Sequence, residues 1–175
     1  MGNISFDIFE SDKIKGVFFL KPSVSTDFRG NIWTSYVKDQ INNMLPKNIN
    51  FNHDKFSYSK KYVLRGIHWD NKTWKLVTCV YGEIYQVVVD CREHSRSFLV
   101  WEGITIKAKD PLLVLIPPGI GNSYLVLSEE AVYHYKLGYK GAYFDADKQF
   151  TLKWNDPRVN IKWPIENPIL SDRDR

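Results

Sequence analysis

The residues best suited to chemistry lie in the stretch FSYSKKYVLRGIH, from Phe56 to His68. Val63, Leu64, Gly66 and Ile67 read as the inside of a strand, with the glycine marking a close backbone approach. Arg65 and His68 stand out of that apolar run. A fixed cation three residues from a histidine, both on a rigid element, suits an anionic substrate beside a general base. Taken alone, the stretch fits a hydrogen-bonded core histidine and an edge-strand charge equally well.

The elements that must position these groups are mostly strands. KLVTCVYG (75–82), EIYQVVVDC (83–91), SFLVWEGITIKA (97–108), LLVLIPPG (112–119), SYLVLS (123–128), AVYHYKLGY (131–139) and FTLKW (150–154) follow at short intervals. Gly, Pro, Asn and Asp separate them, which is the pattern of a sandwich or barrel. Residues 5–20 add one or two strands closed by Lys21-Pro22, and Asp27-Phe28-Arg29-Gly30 is a turn. In TSYVKDQINNML (34–45), Val37, Ile41 and Met44/Leu45 recur at helical spacing before Pro46, which predicts a helix. The tail, with two tryptophan-containing turns, reads as an ordered wrap. The expectation is an all-β, cupin-like jelly-roll barrel with one or two short helices, forming a single domain over residues 1–175.

Composition narrows the function classes. Hydrophobic residues make up 43% and charged residues 25%, ordinary values for a globular protein, while 15% aromatic residues favour strands. A net charge of +4 without a basic cluster suits a small anionic ligand and argues against nucleic acid. Two cysteines, Cys79 and Cys91, make neither a disulfide framework nor a CxxC site, so reduced thiols and a cytoplasmic setting are expected. No apolar run approaches membrane-spanning length, so no membrane association is expected.

The ordered series VLRGIH, KLV, GEIYQVVVDCR, SFLVW, IPPG, YLVLSEEA, YHYK, NDPRVNIKWP and LSDRD closely resembles the cupin-fold nucleotide-sugar 3,5-epimerases of the dTDP-4-keto-6-deoxyglucose type. The match runs from about Asp27 to the C-terminus. The resemblance implies a catalytic base at His68, an enolate-stabilising lysine at Lys75 and a tyrosine acid at Tyr135. It implies a carboxylate orienting the base at Asp174, with Asp172 the competitor. Arg65 then contacts the substrate phosphates, with Asp27, Arg29, Ser57 and Gln86 completing the substrate set. Such enzymes take a nucleotide-diphosphate 4-keto sugar, whose hydrogens at C3 and C5 are α to a ketone. The ketone is the electron sink, so neither cofactor nor metal is expected. A non-catalytic sugar-nucleotide binder on the same scaffold is the rival reading. A ketoisomerase or metal-dependent cupin needs a second strand histidine, and His68-Trp69-Asp70 lacks one.

The chain departs from the family pattern at several points. Asn122 stands where a histidine is usual, Gln86 where an acid is usual, and Asp70 where a glutamine is usual. The base-reading positions hold Ile32, Thr34, His53 and Lys55. A site that has lost its hydrogen-bonding partners for a base selects that base weakly. These departures resemble the branch acting on GDP-4-keto-6-deoxy-heptoses in capsular polysaccharide synthesis, whose members invert C3 alone or both C3 and C5, with a dTDP-4-keto-6-deoxyglucose 3,5-epimerase as the alternative. Asn122 is expected to donate to O4 of the sugar without titrating. The family also implies a homodimer with exchanged N-terminal strands, in which residues near Arg29 complete the partner's nucleotide site.

Overall fold

The computed structural model describes residues 4–175, and two sheets dominate it. The first sheet contains β1 (Phe6–Glu10), β2 (Phe18–Pro22), β5 (Phe51–Lys60), β7 (Trp74–Tyr81), β10 (Leu113–Ile116) and β12 (Glu130–Gly138), in the order β1-β2-β10-β7-β12-β5. The second contains β6 (Leu64–Trp69), β8 (Glu83–Asp90), β9 (Trp101–Lys107), β11 (Ile120–Val126) and β13 (Phe150–Thr151), in the order β13-β6-β11-β8-β9. A separate hairpin is formed by β3 (Val24–Asp27) and β4 (Gly30–Trp33). The expected all-β jelly roll is what the chain adopts.

Alternation along the strands divides the apolar residues among three layers. The central core lies between the sheets. Val77, Cys79, Val114, Ile116 and Tyr133 from one sheet meet Ile84, Val88, Ile106, Tyr124 and Val126 from the other. The Tyr124 and Tyr133 rings stack at 4.2 Å across that gap. Each such side chain contributes about 1.5–3 kcal/mol on burial. On the outer face of the first sheet, Leu76, Leu113 and Leu115 pack against Ile41 and Leu45. On the outer face of the second, Ile67, Val87 and Val89 pack against Leu152, Val159 and Ile161 of the tail.

Three elements differ from the sequence reading. The helix is short: α1 (Lys38–Ile41) starts from an extended Val37 that gives no side-chain cap, and it continues only as a 3-10 turn. Residues 97–100 form turns, with Leu99 at a φ of 63°, because Ser95 and Ser97 fold back to donate to Asp90. The final strand shrinks to Phe150–Thr151. β1 pairs along its length with β2 of its own chain, and Ser11 closes the loop between them by accepting from the Lys13 and Ile14 amides. Among the described residues no helix is long and apolar enough to cross a membrane.

Candidate active site

Arg65 and His68 share a face only because β6 is irregular. An odd spacing on a regular strand puts two side chains on opposite faces. Here His68 lies opposite Asn122 and Arg65 opposite Tyr124, so three steps along β6 match two along β11. The extra residue is a β-bulge, which re-aims the strand. Gly66 makes the bulge fit. Its φ is 122°, and a Cβ there would stand 2.6 Å from the Asn122 carbonyl oxygen. Both side chains consequently line one cavity between the sheets.

The chain's last turn completes the base. Residues Asp172–Asp174 form a 3-10 turn that places Asp174, only 3% exposed, behind the histidine. Nε2 of His68 lies 2.6 Å from Asp174 Oδ1, which leaves Nδ1 as the ring nitrogen available to a substrate. Burial pushes the Asp174 carboxyl up, but hydrogen bonds from His68, Ser171 and the Gly66 amide outweigh it and hold the group below its ordinary value. It therefore stays ionised and fixes the imidazole's tautomer. Asp172 pairs with Arg175 at 3.0 Å and is 96% exposed, so Asp174 is the carboxylate brought to the histidine.

The facing sheet supplies the donors. Lys75 on β7 and Leu137 on β12 lie opposite each other, and Tyr135 is two residues back along β12. Period-two alternation turns Lys75, Tyr135 and Ser57 of β5 into the same cavity. Lys75 is buried, and loss of hydration lowers its pKa to about 8 against the pull of Asp70 and Cys91. Burial likewise raises the Tyr135 phenol, so it keeps its proton at neutral pH. Asn122 on β11 also reaches the cavity. Arg65 is aimed by donating from Nε to Ser59 Oγ at 2.9 Å, and Ser57 bonds the Tyr124 hydroxyl at 2.6 Å.

Three expected substrate contacts lie elsewhere. Gln86 is 1% exposed and engaged with Val87, Asn122 and Tyr133, so it sits behind the wall and not on it. Asp27 and Arg29 face each other at the tip of the β3–β4 hairpin and do not line the cavity of their own chain. Their pairing lowers the Asp27 carboxyl through the Arg29 side chain.

Other residues at the mouth escaped the sequence reading as site residues. Lys55 pairs with Asp145 at 3.1 Å and sits 5.4 Å from the centroid of the Tyr143 ring. Arg173 donates from Nε to Thr151 at 3.0 Å, while one terminal nitrogen is buried without a partner. Lys55 was visible as a changed base-reading position, but the loop bearing Tyr143 and Asp145 has no periodicity to place it. Among the described residues, no three His, Cys, Asp or Glu side chains converge as metal ligands would.

The arrangement offers a carboxylate-backed imidazole on one wall, a protonated phenol on the other, a buried amine between them and cations toward the mouth. The family model described as dTDP-4-dehydrorhamnose 3,5-epimerase matches residues 11–175. The chain is 34% identical over 165 residues to the dTDP-4-dehydrorhamnose 3,5-epimerase of Shigella flexneri, covering 93% of this chain and 90% of that one. It is 32% identical over 165 residues to a dTDP-4-dehydrorhamnose 3-epimerase of Streptomyces niveus, covering 93% and 78%. Among solved structures, the dTDP-6-deoxy-D-glucose-3,5-epimerase of Legionella pneumophila, in complex with dTDP-4-keto-L-rhamnose, superposes with a TM-score of 0.87 at 30% identity. That match covers 97% of this chain and 89% of the other. These relatives are named for dTDP sugars, and the GDP-heptose expectation finds no support among them. With its family model spanning residues 11–175 and the Shigella relative matching over 93% of this chain and 90% of its own, the protein is an isomerase and belongs to the dTDP-4-dehydrorhamnose 3,5-epimerase family.

Proposed function

We propose that the protein inverts C3 and C5 of a nucleotide-diphosphate-linked 4-keto-6-deoxy sugar by proton removal and return. The observation carrying this reading is the His68–Asp174 pair at 2.6 Å, set in the same cavity as Tyr135 and Lys75. Nδ1 of His68 removes the hydrogen α to the ketone, and Asp174 stabilises the imidazolium. The electron pair moves onto O4, where Lys75 and Asn122 stand as donors. Tyr135 returns a proton from the other wall, which inverts the carbon. Arg65 and Arg173 suit the diphosphate.

The relatives' names favour a dTDP-4-keto-6-deoxy hexose as substrate. A second reading, a GDP-4-keto-6-deoxy-heptose, rests on the base-reading positions. His53, bonded to the Tyr139 hydroxyl at 2.9 Å, and Lys55, paired with Asp145, carry no carboxamide to pair with a thymine edge. The deciding experiment supplies each sugar nucleotide in D2O and follows mass and proton NMR. Exchange at C3 and C5 of the dTDP sugar supports the first reading. Exchange only with the GDP sugar selects the second, exchange at C3 alone makes the protein a monoepimerase, and no exchange with either defeats the epimerase reading. A homodimer accompanies this proposal, supported by the exposed Phe28 and Ile32 on the hairpin that carries Arg29.

A further inference from the structure

Behind the cavity wall, Gln86, Asn122 and Tyr133 form a closed set of hydrogen bonds whose direction follows from one backbone group. The Val87 carbonyl lies 3.1 Å from the Gln86 amide and can only accept, so the end facing it is the NH2. The same nitrogen lies 2.7 Å from Asn122, so Asn122 must present its oxygen there. The other end of Gln86 is then its carbonyl, and it accepts from the Tyr133 hydroxyl at 2.6 Å. That hydroxyl also lies 3.2 Å from Asn122 Oδ1, a second donor in reserve. All three residues are nearly or fully buried, at 1%, 6% and 0% exposure for Gln86, Asn122 and Tyr133. With Oδ1 held from behind, Nδ2 is the end of Asn122 left for the cavity, and it is not among the sealed, unpartnered atoms.

We propose that Gln86 and Tyr133 are positioning residues that lock the Asn122 amide with its NH2 turned into the cavity, giving the substrate's developing O4 anion a fixed donor that never titrates. The inference rests on the epimerase reading. A non-titrating donor needs a partner that donates to its oxygen, and an acid at position 86 would instead accept and turn the amide round. An amide without that partner turns its oxygen toward the enolate for most of the time and its NH2 for the remainder. Removing one preorganised oxyanion donor costs about 10²–10³ in kcat in other enzymes. A flipping one costs less, about tenfold where the NH2 faces the anion one time in ten.

The test compares wild type, Asn122→Asp and the double variant Gln86→Met/Tyr133→Phe, which deletes the Gln86 donor to Oδ1 together with the hydroxyl that could replace it and keeps similar volume. Asn122→Asp should lower kcat by about 10²-fold. The double variant should lower kcat by about tenfold with KM within about twofold, because the lost contact is made only in the transition state. An equal kcat in the double variant overturns the proposal, as does a change confined to KM. The second readout needs no substrate. In 15N-labelled wild type, the Asn122 side-chain NH2 should exchange quickly with solvent as a single resonance pair, and in the double variant it should broaden or double. If wild type leaves both sugar nucleotides unexchanged, the epimerase reading fails, while a protected Asn122 NH2 in wild type separately refutes the orientation. Melting curves of the variants distinguish loss of fold from loss of positioning.

Discussion

Lys75 and Asp174 both have their pKa lowered, by opposite balances of burial against neighbouring charges and hydrogen bonds, and each leaves a measurable trace. Lys75 has a folded pKa of about 8 against 10.5 for the exposed amine. Below pH 8 the folded protein buries a charge; between those values the unfolded chain binds more protons, so stability rises with pH. Lys75→Met should therefore melt above wild type at pH 7, and the gap should close as pH rises above 8. Its activity should fall about 10²–10³-fold, and the wild-type loss of kcat through pH 8, as the amine deprotonates, should vanish from the remainder. Asp174 runs the other way. Its depressed pKa means stability that is present above the ordinary carboxylate range and lost as pH falls through the folded value. Asp174→Asn should be less stable than wild type at neutral pH, and the two melting curves should converge in acid. A wild-type stability advantage that survives acid titration would contradict the dyad.

At the scale of elements, the β6 bulge decides whether base and cation share a cavity. Gly66→Ala forces a Cβ against the Asn122 backbone oxygen at a φ of 122°. We expect a loss of roughly 2–4 kcal/mol in urea unfolding together with a fall in kcat/KM beyond what the residual folded fraction explains. Unchanged unfolding and kinetics would mean that the bulge is not needed. The glycine was legible in VLRGIH as a close approach, and the strands around it were legible from alternation. The bulge was not, since nothing in one strand's sequence reveals the partner's register. The resemblance placed Asp174 at the base, but periodicity alone could not: SDRDR looks like a solvated tail until residues 150–169 carry it back along β6, where Ile169 accepts from the Leu64 amide at 3.0 Å. Gln86 was misplaced for a related reason. Its strand face points inward, yet inward at that depth means behind Asn122, and depth is invisible to a period of two.

For the whole molecule, the hairpin bearing Arg29 presents Phe28 at 98% and Ile32 at 74% exposure, far more apolar surface than a solvated turn needs. A second copy would account for it under the proposed homodimer, because a two-fold axis would carry each hairpin to the other's site. Sedimentation should give a dimer. Arg29→Ala and His68→Asn should each be inactive or nearly so, and mixing them under exchange of subunits should restore activity, since each mixed dimer then holds one intact site. No recovery on mixing, with mixed dimers demonstrated, would confine Arg29 to its own chain.

The claim on which the rest depends is that His68, backed by Asp174, takes the proton from carbon. Wild type and His68→Asn, incubated in D2O with the sugar nucleotide that wild type accepts, measure it directly by deuterium content at C3 and C5. Asparagine keeps much of the volume and cannot accept the proton, so uptake should fall by 10³-fold or more, on the order seen when a catalytic base is removed elsewhere. Uptake by His68→Asn at the wild-type rate, with its fold intact, would place the base on another residue.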